Sequence, residues 1–348
     1  MPDVWFAIPG DLRALTGGYA YARRLMAALP AAGWTPHHVP LPGGFPNPTV
    51  ADLKATSAIL AALPAESAVL FDGLAYGALP QELLGELDLS LTALVHHPLA
   101  EETGLSAEIA ARFKASERAA LALAQEVVVT SGHTLATLAR DYDVPRTRLV
   151  LAEPGTDRAP RAKGSGAAPV LLTVATLINR KAPDVLIEAL ARVKDLAWSS
   201  VLVGSTERDP AVTAKVRALI AQHGLEGRVI LRGELQDEAL AAAYDGADVF
   251  VLPSRHEGYG MVFAEAMAHG LPIVACAAGA VTGTVPADAG LLVPPDSPDA
   301  LASALRRALS DAALRQEMSD AAWAQGQRLP SWNDTAAAVS EALWSALP

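Results

Sequence analysis

SRHEGYGMVFAEAMAHGLP, residues 254–272, is the stretch from which the rest of the chain can be read. The apolar run 249–252 ahead of it reads as a strand. Gly258 and Gly260 then punctuate a loop that carries Glu257, and a helix opens near Gly260 and carries Glu265. Open parallel sheets bind ligands outside the carboxyl ends of their strands, which is where such a loop must lie. Gly258 and Gly260 remove side chains, so backbone N–H groups at the helix start can approach an anion. Glu257 would stand beside that anion, with Glu265 one to two turns along the helix. Two carboxylates there suit a polyhydroxylated ligand, because each can accept two hydroxyl protons at once. A zinc-protease reading of His256–Glu257 fails on spacing, since HExxH needs a second histidine where Gly260 stands.

Outward from this segment the same alternation recurs. Apolar runs at 4–8, 68–71, 91–95 and 127–130 are separated by amphipathic stretches at 19–29, 50–62, 107–123 and 133–140. After EPGTDRAPRAKGSGAAP, residues 153–169, where periodicity vanishes, strands resume at 170–174, 200–203, 229–231, 249–252 and 273–275. Strands alternating with helices predict parallel sheets covered by helices, here in two α/β halves joined by a linker. Beyond 291–293 the pattern is helical only, at 299–309, 312–325 and 334–347. The tryptophans at 323, 332 and 344 argue that this run docks rather than dangles. It could cover the second sheet or return to the first. The expected division is 1–160, 161–330 and a terminal helix 331–348.

Composition agrees and excludes much else. A chain of 348 residues is too long for one ordinary core, and 51% apolar with 19% charged residues excludes global disorder. With 27 Lys and Arg against 38 Asp and Glu, the net charge is -11, which disfavours nucleic acid and anionic lipid as partners. Cys276 is the single cysteine, so neither an internal disulfide nor a cysteine zinc site is available, and a cytoplasmic compartment fits best. The N-terminus lacks the basic start and apolar run of a signal peptide. Residues 267–287 are uncharged apart from His269, yet Gly270, Pro272, Gly279, Gly283 and Pro286 break them too often for a membrane span.

The stretch HEGYGMVFAEAMAHGLPIVA resembles the E-x7-E signature of the retaining glycosyltransferases of family 4. That resemblance implies the GT-B fold: two Rossmann-like doubly wound parallel-sheet domains facing across a cleft, with the second holding the donor. It further implies transfer of a hexose-type sugar from a UDP- or GDP-sugar to an acceptor with retention of configuration, with no metal or other cofactor. In the family the first glutamate contacts sugar hydroxyls, the second binds the nucleotide ribose, and amides after the second glycine help hold the diphosphate. Those roles fall on Glu257, on Glu265, and on Gly260, Met261 and Val262. Other GT-B activities, such as a nucleotide-sugar epimerase or a phosphorylase, and a non-catalytic nucleotide-sugar-binding protein remain alternatives.

The resemblance extends unevenly. In LLTVATLINRKAPDVLIEAL, residues 171–190, Lys181 matches the family's diphosphate-binding lysine. Thr176 stands where the family has an arginine, and Ala175 and Ala182 replace glycines, so Arg180 is expected to supply the missing cation. Gly204 in VLVGS and Leu235 in LRGEL match donor-side turns, the latter facing the nucleotide base. In the first half, Gly17 and Gly18 resemble the glycine pair that lets backbone approach the donor phosphate. His96, at the tip of the run 91–95, resembles the family's cleft histidine, with His97 beside it on the acceptor side. His37 and His38 have no such context and read as structural. Asp141–Tyr142–Asp143 spells DxD but ends a helix, so it reads as an exposed helix end rather than a metal site. A lipid acceptor would bring the chain to the inner membrane surface, where Arg23 and Arg24 and the group Arg112, Lys114 and Arg118 could meet headgroups, although both groups read more readily as solvated helix faces.

Overall fold

A computed structural model describes residues 1–166 and 168–348; Ala167, in the expected linker, lies outside the described residues. The described residues form two sheets of six parallel strands, each flanked by helices. The first sheet contains β1 (Asp3–Pro9), β2 (Thr35–Leu41), β3 (Ala68–Asp72), β4 (Ser90–Val95), β5 (Glu126–Val129) and β6 (Leu149–Leu151), in the order β2-β1-β3-β4-β5-β6. The second contains β7 (Val170–Val174), β8 (Ser199–Val203), β9 (Val229–Gly233), β10 (Val249–Leu252), β11 (Ile273–Cys276) and β12 (Gly290–Val293), in the order β12-β11-β10-β7-β8-β9. Strands β3, β4, β5, β10 and β11 are buried along their whole length, which is why they read as continuous apolar runs rather than alternating ones.

Two strands have no counterpart in the periodicity. β2 is TPHHVPL, and its Pro36 and Pro40 are tolerated because it forms the sheet edge and bonds to β1 alone. His37 lies on it, bonded to Asp3 at 2.7 Å and stacked on Trp5. β6 is only three residues long and closes the other edge.

The chain divides into two compact units, one of Met1–Gly155 with Pro330–Pro348 and the other of Thr156–Leu329. The terminal helix Trp332–Ala346 packs within the first unit, where Trp34 Nε1 donates to Ser340 Oγ at 3.0 Å and Thr335 Oγ1 donates to the Glu153 carbonyl at 2.7 Å. Most of the stretch expected as the interdomain linker belongs to the second unit and is bonded into it. Ala162 N–H reaches the His269 carbonyl, Lys163 bonds Asp245, and Arg161 bonds Ser319 and Asp320.

In the second sheet the chain steps outward from β7 to β8 and β9, then returns to β10 on the other side of β7. The reversal opens a crevice at the carboxyl ends of β7 and β10. The first sheet has its own reversal between β1 and β3. Residues 267–287 contain the end of one helix, β11 and a short helix. Among the described residues no helix is long and apolar enough to cross a membrane.

Candidate functional site

Both chemically informative segments emerge at the switch point of the second sheet. After β7 the chain makes the turn Asn179–Lys181 and enters the helix Pro183–Ala191. Ala182 joins them with φ 51°, a left-handed conformation that a methyl group disfavours by about 1–2 kcal/mol, which explains why glycine is the natural choice there. After β10 comes the loop with Glu257, then the helix Met261–Ala268. Gly260 precedes that helix with φ 87°, and a Cβ on it would lie 2.5 Å from the Phe263 ring. Neither the backbone nor the space admits a side chain. Gly279, at φ 58°, lets the segment after β11 pass so close that its Cβ would meet the Glu257 carbonyl at 2.3 Å; the neighbouring Ala280 N–H donates to that carbonyl at 2.8 Å.

These turns bring two cations and one carboxylate together. Lys181 Nζ donates to Glu257 Oε1 at 2.6 Å, Arg180 Nη1 lies 3.5 Å from Glu257 Oε2, and Ser254 Oγ donates to Oε1 at 2.5 Å. Arg180 also donates to the His256 carbonyl at 3.2 Å. Glu257 is 4% exposed. Burial alone would push its carboxyl up, but Lys181, Arg180 and the two hydrogen bonds outweigh burial and hold it below the usual glutamate range. The three side chains together carry one positive charge in excess, at the end of a strand and beside the first turn of a helix. That arrangement favours an anion with hydroxyl groups near it.

A residue missed in the sequence holds this turn in place. Arg255 Nη1 donates to Asn179 Oδ1 at 3.1 Å, Nη2 to both Asp184 oxygens at 3.2 and 3.3 Å, and Nε to Asp296 at 2.7 Å. Its backbone N–H donates to the Arg180 carbonyl at 2.8 Å. One guanidinium thus ties the loop after β10 to the Arg180–Lys181 turn, to the following helix and to the loop after β12. Its partners are scattered over 118 positions, from 179 to 296, so no local motif announces it.

The other expected residues of this half have these neighbours. Gly204, after β8, has φ 144°, and a Cβ there would meet the Ala175 carbonyl at 2.0 Å and the Thr176 amide nitrogen at 2.9 Å, so Gly204 and Thr176 are close neighbours. Leu235, Met261 and Val262 are partly buried against one apolar cluster that includes Tyr259 and Phe263; Gly258 is buried. Glu265 accepts a hydrogen bond from the Tyr244 hydroxyl at 2.8 Å.

The first unit brings its own candidates together. A Cβ on Gly18 would lie 3.5 Å from the His96 ring, whereas one on Gly17 would meet nothing within 4 Å. His96 Nε2 is 3.8 Å from Asp72 Oδ2, at the end of β3, and its ring meets Tyr21 edge-on. Burial, and secondarily His97, lowers the His96 pKa, and burial raises that of Asp72 to about 6 against the Leu74 N–H bond. His97 sits 3.6 Å from Glu102. Beneath this loop Glu117, 1% exposed, accepts the Leu99 N–H at 2.9 Å. Asp141 and Asp143 pair with Arg140 and Arg118 at the end of the helix Gly132–Asp141, and among the described residues no acidic, histidine or cysteine cluster could hold a metal ion.

Residues 168–311 match the family model described as glycosyl transferases group 1. The chain is 34% identical over 173 residues to D-inositol 3-phosphate glycosyltransferase of Xylanimonas cellulosilytica, a match covering 49% of this chain and 41% of that one. It is likewise 34% identical over 169 residues to glycogen synthase of Deinococcus deserti, covering 48% and 36%. These matches therefore span less than half the length of either relative. Among solved structures, sucrose-phosphate synthase from Thermosynechococcus elongatus superposes with a TM-score of 0.83 at 25% identity over 98% of both chains. Anabaena HepE, in complex with UDP and glucose, does so with 0.76 at 16% identity over 99% and 100%. The protein therefore has the two-domain α/β GT-B fold, with a match to the group 1 glycosyl transferase model within its second unit.

Proposed function

We propose that this chain is a retaining glycosyltransferase that moves a hexose-type sugar from a UDP- or GDP-sugar to an acceptor without a metal ion. The observation that carries the reading is the buried Glu257 carboxylate bonded to Lys181 and flanked by Arg180, at the switch point of the second sheet. In this reading the two cations and the amides of Gly260, Met261 and Val262 receive the donor's diphosphate. They stabilise the charge that builds on it as the glycosidic bond breaks. Glu257, kept ionised by its neighbours, accepts hydrogen bonds from sugar hydroxyls. Glu265 accepts from the ribose, while Gly204, Thr176 and Leu235 line the base and phosphate end.

The first unit's Gly17–Gly18 pair and His96 are assigned to the phosphate and transferred sugar, and His97 to the acceptor. No side chain is assigned as a nucleophile: the departing phosphate oxygen takes the proton of the acceptor hydroxyl as that hydroxyl attacks the same face of the sugar. The likeness to proteins named as glycosyltransferases and to HepE, whose structures hold UDP and UDP-glucose, supports a nucleotide-sugar donor.

A melting-temperature screen of UDP, GDP and their sugars tests the donor, because a ligand that binds only the native state raises stability by about 2.7 kcal/mol at a hundred times its Kd. Transfer to an acceptor panel then tests turnover. Release of free sugar without acceptor, or dependence on inorganic phosphate, would replace transfer by one of the other GT-B activities. Tight binding without turnover across the panel would leave a binding protein, and no nucleotide response at all would end the proposal.

A further inference from the structure

Tyr244 lies on the helix Asp237–Asp245, twenty-one residues before Glu265, and no local motif connects the two. The fold nevertheless places its hydroxyl 2.8 Å from Glu265 Oε2. The tyrosine is 2% exposed, its ring stacks face to face on His269 at 4.9 Å with a 7° interplanar angle, and the Phe250 ring lies 6.2 Å away at 20°. Buried and packed against these rings, the side chain has little freedom to turn its hydroxyl away. It is a neutral donor, because burial and the adjacent carboxylate both raise its pKa far above the physiological range. Its proton therefore stays in the bond to Glu265.

We infer that Tyr244 is a positioning residue that fixes the Glu265 carboxylate for recognition of the two ribose hydroxyls, and so sets how strongly the site distinguishes a ribonucleotide from its deoxy form. The inference rests on the ribose role proposed for Glu265. A glutamate on a helix surface ordinarily samples several rotamers, and ordering it on binding costs free energy that lowers affinity. A hydrogen bond from the hydroxyl of a buried, ring-packed tyrosine orders it beforehand. It also fixes the carboxylate plane, so the oxygens can meet hydroxyls only along set directions. Affinity for the phosphates would be untouched. The contribution falls wholly on the ribose contact, so it appears as discrimination rather than as general binding strength.

The experiment compares the full chain with the Tyr244→Phe variant, which removes the hydroxyl and keeps the stacked ring. Binding of UDP and GDP and of their 2′,3′-dideoxy forms is measured by calorimetry. The wild type should bind the better ribonucleoside diphosphate about tenfold or more tightly than its dideoxy form, the range expected for hydrogen bonds to a charged group. In Tyr244→Phe the ratio should fall to about two- to threefold, with the dideoxy affinity unchanged. An unchanged ratio in Tyr244→Phe overturns the role of Tyr244 while leaving that of Glu265 intact. Equal binding of ribo and dideoxy forms by the wild type removes the Glu265 role and this one together. Absence of any nucleotide binding by the wild type removes the proposed function itself. A Tyr244→Phe variant that loses affinity for both forms equally shows a merely structural tyrosine and overturns the inference.

Discussion

Replacing Lys181 by alanine separates its bond to Glu257 from the role proposed for it at the departing diphosphate. At 2.6 Å from Glu257 Oε1, the pair has a gross attraction of about 6 kcal/mol at an effective dielectric constant of about 20. Desolvation of both groups offsets most of it. Breaking a buried pair typically costs about 3–5 kcal/mol, and the low end applies here because Arg180 at 3.5 Å and Ser254 still face the carboxylate. A loss of about 3 kcal/mol lowers the melting temperature of a unit this size by roughly 10 °C. Under the proposed function turnover should fall more steeply, by about 10²–10³, because the variant would lack a group aimed at charge that develops only in the transition state.

The assay is steady-state transfer from the preferred nucleotide sugar at a temperature well below both melting transitions, so that folding loss does not enter kcat. A second variant, Lys181→Ala with Glu257→Gln, removes the orphaned charge and should recover most of the lost melting temperature but none of the turnover. Folded Lys181→Ala with kcat within about threefold of wild type would refute leaving-group stabilisation by this residue.

Three further outcomes are expected. Arg255→Lys keeps the charge but loses the guanidinium fork that binds Asn179, Asp184 and Asp296, so kcat should drop about tenfold with little change in the donor KM; equal kcat would show that the Arg180–Lys181 turn holds itself. Transfer should persist in excess EDTA, and complete loss restored by Mn²⁺ would replace the cationic side chains by a metal. Burial, partly offset by the Leu99 N–H bond, raises the Glu117 carboxyl to about 8 from an ordinary 4.5. Its contribution to stability is therefore complete below about pH 4.5 and is lost as the pH rises through 8. The wild-type melting temperature should fall across that window by an amount equivalent to a few kcal/mol, and Glu117→Gln should flatten the fall. A parallel decline in both proteins would exclude Glu117 as its source.

The sequence was most legible where chemistry is local. Glu257, Gly260 and Glu265 sit within nine positions, and their spacing carries both the strand–loop–helix reading and the carboxylate pair. Lys181 was recoverable for the same reason, lying just after a strand. What escaped depends on contacts between distant segments. Arg255 is hidden inside the signature because its partners at 179, 184 and 296 meet only in the folded sheet. Tyr244 looks like one apolar residue of an alanine-rich helix, and Glu117 like a solvated face, until burial turns each hydroxyl or carboxyl into a directed group. β2 was missed because prolines argue against a strand unless that strand is at an edge, which a single sequence does not disclose.

The place where the chain leaves the first unit and returns to it has a practical consequence. A Cβ on Gly155 would lie 2.3 Å from the Trp332 amide nitrogen, so the outgoing and incoming backbones pass in direct contact, and Arg158 bonds the Gly326 and Leu329 carbonyls just inside the second unit. In effect, 156–329 is an insert whose two ends share one doorway. A chain in which a few glycines and serines join Gly155 directly to Pro330 closes almost no extra loop, so the first sheet and its returning helix should fold together as a small protein of their own. The excised insert, with its ends already adjacent, becomes a natural candidate for circular permutation.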